Sequence, residues 1–179
     1  MLTKFSTLIL IAGLTLSGPI ACKGKDADSS KAQAEVKVLE PASNGSPISV
    51  EFVKFQGEGE DRGMEILLYN TSDKTAAAYM FLFRYYDAND KLLEVKPGTA
   101  FASDTDFTSM SGGKYKCEPK TNATLEVDGR ALAIPAEAVR VDVLASQVRA
   151  LASDGSTIED WWSQDNFNKW PAGPASEVE

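Results

Sequence analysis

The chain has 179 residues, 43% of them hydrophobic and 25% charged, with a net charge of −8 and no histidine. That is enough for one domain with a proper core and little room for two. The missing histidine excludes Ser-His and Cys-His nucleophile pairs, the HExxH metalloprotease motif and histidine-ligated zinc, and the acidic balance disfavours nucleic acid as a partner.

The first residues read as a secretory leader over 1–21. Lys4 supplies a positive charge, Leu8 to Leu16 is almost wholly apolar, and Ser17-Gly18-Pro19 breaks the run. A membrane-spanning helix needs about twenty apolar residues, more than this stretch has. The leader closes on Gly18-Pro19-Ile20-Ala21-Cys22, which resembles the lipobox of bacterial lipoproteins. Ile20 and Ala21 fit that pattern, while Pro19 stands where the family usually has an aliphatic residue. The resemblance implies that Cys22 is diacylated and becomes the new N-terminus, tying the chain to the outer membrane or cell surface of a bacterium. The alternative is a plain secretory signal, with Cys22 left to pair with Cys117, the other cysteine of the chain.

Residues 22–46 read as a flexible tether. Lys23 to Glu35 is small and polar and carries no large apolar residue to bury, and a chain of that length reaches roughly 20 Å. No basic amphipathic helix is evident, so attachment to a membrane falls to the acyl chains.

The folded domain is expected over 47–170, after the turn formers Pro41 to Pro47, with 171–179 as a frayed tail. Ile48, Val50 and Phe52 alternate with polar residues, as do Met64, Ile66 and Leu68. Ala76 to Asp87 is rich in aromatics and apolar on both faces up to Arg84, the pattern of a central strand. Leu92, Leu93 and Val95 predict a return strand, broken by Pro97-Gly98. Ser103 to Lys120 shows no clear period. Thr121 to Asp128 and Ala138 to Leu151 restore alternation. Short strands between turn signals predict an all-β, antiparallel β-sandwich. Ile158 to Trp170 reads as a short C-terminal helical turn, with a last strand and loop as the alternative.

Asn70-Thr71-Ser72, the aromatic run Tyr79 to Tyr86 closing on Asp87, Leu92-Leu93 and Pro97-Gly98 resemble the immunoglobulin-like FxLYD-type domains of bacterial surface proteins. Asn89-Asp90 replaces the usual glycine of the turn. The resemblance spans about thirty residues, implies an immunoglobulin-like sandwich and brings no catalytic residues.

Three groups bear on chemistry. Cys117 sits among Lys114, Lys116 and Lys120, which would lower its pKa, although such a cysteine is more often buried or bonded. Asp87 to Asp90 and the pair Asp104 and Asp106 have a faint likeness to calcium loops, and Asx turns explain them without metal. Trp161, Trp162 and Trp170, with Phe167, are the ligand-binding candidates: exposed they suit a protein or glycan partner, covered they close the end of the sandwich.

The expectation is a non-enzymatic, lipid-anchored envelope protein that presents a binding module, with no catalytic residue, metal or cofactor. Two alternatives stand beside it: a small periplasmic enzyme or redox protein using carboxylates or Cys117, and a structural part of an envelope assembly.

Overall fold

The computed structural model describes residues 35–95 and 105–171, which form seven antiparallel strands. The leader, Cys22, Pro97-Gly98 and Asp104 lie outside them. The strands are β1 (Ile48–Gln56), β2 (Gly63–Asn70), β3 (Ala76–Tyr86), β4 (Thr108–Cys117), β5 (Asn122–Val127), β6 (Arg140–Leu151) and β7 (Ile158–Ser163). Two sheets result, in the orders β1-β2-β5 and β4-β3-β6-β7. Lettered A, B, C, C′, E, F and G in chain order, they give A-B-E facing C′-C-F-G, an immunoglobulin-like sandwich.

Alternation explains why the sheets face each other as they do. Met64, Ile66 and Leu68 of β2 are fully buried, and the residues between them are only half-buried. Across the core, Phe81 and Phe83 of β3 are 0% exposed. They pair in register with Ala145 and Val143 of β6, and paired residues share a face of the sheet. Tyr79, Phe81 and Phe83 form an aromatic column, with successive ring centroids 5.2 and 6.3 Å apart. Each large side chain buried in this way contributes about 1.5–3 kcal/mol before entropy is counted. Tyr85 is also buried, and its hydroxyl shares a 2.9 Å hydrogen bond with the Thr108 hydroxyl.

Three strand assignments differ from the sequence reading. The aperiodic stretch before Lys120 contains β4, an edge strand of sequence TSMSGGKYKC, whose Ser and Gly residues carry no alternating apolar signal. Leu92 to Val95 forms no strand and makes only isolated bridges, Tyr86 with Leu92 and Val95 with Thr105. The reason is geometric: β4 and β6 already occupy both edges of β3. The C-terminal helical turn is instead strand β7 followed by a turn over residues 165–168. A β-bulge at Trp161 sets Asp160 opposite Arg149 and Trp162 opposite Val148, so the period of two is lost at that point.

Residues 35–46, read as tether, lie against the sandwich. The Asn122 side-chain amide clamps the main chain of Lys37, accepting from its N–H at 2.6 Å and donating to its carbonyl at 2.8 Å. Lys37 also pairs with Glu51, and Leu39 is buried. Asn44 donates to the Ala145 carbonyl and to Gln164 Oε1, both at 2.9 Å.

Candidate functional site

Antiparallel topology puts the β1–β2, β3–β4 and β5–β6 connections at one end of the sandwich, opposite the end where the chain enters β1. There they enclose a groove of about 1040 Å³. Leu92, Leu93, Ala133, Ile134 and Pro135 supply its apolar surface, with Lys91, Glu94 and Glu137 among the charged residues that line it.

The walls are fixed from within. Arg62 stacks over the Phe55 ring at 3.8 Å. Its guanidinium donates to the carbonyls of Pro135, Ala136 and Ala138 at 3.0, 2.9 and 2.6 Å. Those bonds tie the β5–β6 connection to the β1–β2 loop and occupy the cation. Arg130 is likewise held by Asp61. Asp87 Oδ1 accepts the backbone N–H groups of Asn89 and Lys91 at 2.8 and 3.0 Å, which holds its carboxyl below the usual range. This is an Asx turn. Ala133, in the wall, has a φ of 48°, a left-handed conformation that a side chain rarely adopts.

The tryptophans do not form one cluster. Trp170 lies over the Arg84 guanidinium at 4.7 Å, and Arg84 also pairs with Asp106. Trp161 and Trp162 sit together on β7, half-buried and packed against the core. With Gln147, Val148, Asp160 and Ser163 they line a second depression of about 260 Å³. Lys74 Nζ lies 5.9 Å from the Trp161 ring centroid. Phe167 is 42% exposed on the following turn.

Cys117 ends β4 and is completely buried. Burial is the main cause that pushes its thiol up, against the lowering expected from the lysines around it, and Sγ donates to the Thr121 carbonyl at 3.5 Å. Its own carbonyl accepts from Asn70 Nδ2 at 2.9 Å. Asn70, fully buried, also donates to the Lys74 carbonyl and accepts from the Ser72 backbone N–H and hydroxyl.

No family model matches the chain, and no curated protein matches it. Two solved structures are similar to it. One is the crystal structure of a DUF1425 family member from Shewanella sp. pv-4. It is 21% identical over 60% of this chain and 83% of that one, with a TM-score of 0.33. The other is the X-ray structure of Northeast Structural Genomics Consortium target SoR45. It is 14% identical over 63% of this chain and 79% of that one, with a TM-score of 0.23. Both likenesses are remote.

The sequence reading missed the end groove altogether. Its lining comes from connections without periodicity, and the one local signal was the turn chemistry of Asp87 to Asp90.

Proposed function

We propose that the chain is a lipid-anchored protein of the bacterial envelope, acylated at Cys22, whose sandwich is a non-enzymatic binding module. The observation that carries the binding role is the end groove. At about 1040 Å³ it stands at the upper limit of ordinary ligand pockets, roughly 300–1,000 Å³. Its lining sets five apolar residues beside six charged ones, of which Arg62 and Arg130 are already engaged within the chain, so recognition there rests on charge as much as on apolar burial. Its position at the end away from the chain's entry into β1 suits a module that faces outward from an N-terminal anchor. The buried Cys117, with its thiol held protonated, is poorly placed for the redox alternative.

The experiment has two arms. Mass spectrometry of the mature protein from a bacterial membrane fraction should find acylated Cys22 as the first residue. A soluble product beginning elsewhere would overturn the anchor. For the module, envelope extract added to the isotope-labelled protein should shift the backbone signals of 91–94 and 133–137. Lys91→Glu with Glu137→Lys, both at exposed positions, should abolish those shifts while leaving the fold intact.

A further inference from the structure

The depression on β6 and β7 is separate from the end groove, and its chemistry is unlike that of a peptide or ion site. We propose that it is a subsite for one neutral hexopyranose ring.

The β-bulge makes the site. Gln147 pairs with Ser163 and Val148 with Trp162, while Trp161 is the extra residue that the bulge inserts. Two consecutive indoles are thereby brought to the same depression, which regular alternation would have sent to opposite faces of the sheet.

Size, charge and polarity then narrow the ligand. At about 260 Å³ the depression is smaller than the roughly 300–1,000 Å³ of pockets that enclose a drug-sized molecule. Its one ionised group, Asp160, is balanced by Arg149, whose Nε donates to Asp160 Oδ1 at 2.9 Å. Lys74, over the Trp161 ring, is likewise balanced by Glu159 at 3.7 Å, so the surroundings are close to neutral and do not select a charged ligand. A wholly apolar ligand fits no better, because it would strip water from Asp160 Oδ2, the Gln147 amide and the Ser163 hydroxyl without replacing their hydrogen bonds. The buried unpaired side-chain atoms among the described residues are Ser49 Oγ and Arg84 Nε. Trp161, Trp162 and Gln147 are only half-buried, and each lines the depression. A sugar ring has one face of C–H groups to lay on an indole and a rim of hydroxyls that both donate and accept. That pattern matches two tryptophans bordered by an amide, a carboxylate oxygen and a hydroxyl.

The test uses the full chain and the methyl glycosides of glucose, galactose and mannose. The chain has three tryptophans, so three indole N–H signals report the outcome. At millimolar glycoside, the Trp161 and Trp162 signals should move and saturate for at least one sugar while that of Trp170 stays fixed. Gln147→Ala should weaken binding about tenfold, Trp162→Ala should abolish it, and Trp170→Ala should leave it unchanged. Methyl glucuronide should gain no affinity over methyl glucoside, and a marked preference for the charged sugar would overturn the neutral-ring proposal. If Trp162→Ala fails to fold by circular dichroism, Gln147→Ala decides. Static Trp161 and Trp162 signals with all three glycosides would overturn the proposal, as would shifts that never saturate or unaltered affinity in Gln147→Ala.

Discussion

The backbone of Gly129 passes so close to Arg62 that a Cβ on the glycine would lie 1.5 Å from the Arg62 carbonyl oxygen. Gly63 is nearly as crowded, its Cβ position lying 2.4 Å from the Val127 carbonyl oxygen. These two glycines let the β1–β2 loop and the β5–β6 connection meet beneath the end groove. Gly129→Ala should therefore lower stability by about 3 kcal/mol or more, since backbone must move. Gly112→Ala, where the new atom meets nothing within 4 Å, should stay within about 0.5 kcal/mol of the parent in the same urea titration.

The aromatic column sets the next expectation. Phe81→Ala or Phe83→Ala should cost about 3–5 kcal/mol, as aromatic truncation in a closed core does. Val139→Ala, at a position 56% exposed, should be nearly silent. Equal denaturation midpoints for the three variants would contradict the packing of β3 against the opposite sheet.

Asn70 joins two turns through its amide. Asn70→Ala leaves the Lys74 and Cys117 carbonyls without their side-chain donor and should cost about 2 kcal/mol or more. Amide exchange should accelerate first in residues 71–75 and 118–121, and a uniform change across the sandwich would argue against this local role.

Asp154 gives a pH dependence with a definite sign. Hydrogen bonds from the Thr157 hydroxyl and the backbone N–H groups of Thr157 and Ser156 draw its carboxyl down to about 2. The carboxyl of an unfolded chain titrates near 4, about 3.9 for Asp. A folded pKa below the unfolded one adds stability above the unfolded value, and that stability is lost as pH falls through the folded value. Asp154→Ala should thus be less stable than the parent at neutral pH, and the difference should shrink between about pH 4 and the folded value. A difference that stays constant across that window would show that the carboxylate is not the cause.

Burial predicts an inert thiol at Cys117. Iodoacetamide should label it at the rate of global unfolding, followed by mass spectrometry of its peptide, and should label it promptly in denaturant. Rapid labelling of the native protein would revive the redox reading.

Strands with one buried face were legible in the sequence. In β2, Met64, Ile66 and Leu68 alternate with less buried residues, and β5 does the same through Leu125 and Val127, whereas in β1 Ser49 is buried beside Ile48 and in β6 Leu144, Ala145 and Ser146 are buried in a row. The length and aromatic content of β3 gave its central place. Strand β4 was hidden because an exposed edge needs no apolar period, and β7 because its bulge interrupts one. Of the tryptophans, Trp161 and Trp162 line one depression. Trp170 lies apart because the seven residues that separate it from Trp162 include the turn over 165–168, which carries it to Arg84. The end groove was not legible, since three connections distant in sequence meet there and none is periodic.

The clamp of Asn122 on Lys37 has a mechanical consequence. A pull on the chain ahead of residue 35 loads the docked segment 35–46 before it loads β1, because Asn122, Glu51 and the Asn44 contacts lie first in line. Those few bonds can part singly, releasing about 40 Å of extended chain at 3.3–3.6 Å per residue, while the sheets stay paired. The segment is thus a slack reserve, and the sandwich is spared the first stretch of any force transmitted through its N-terminus.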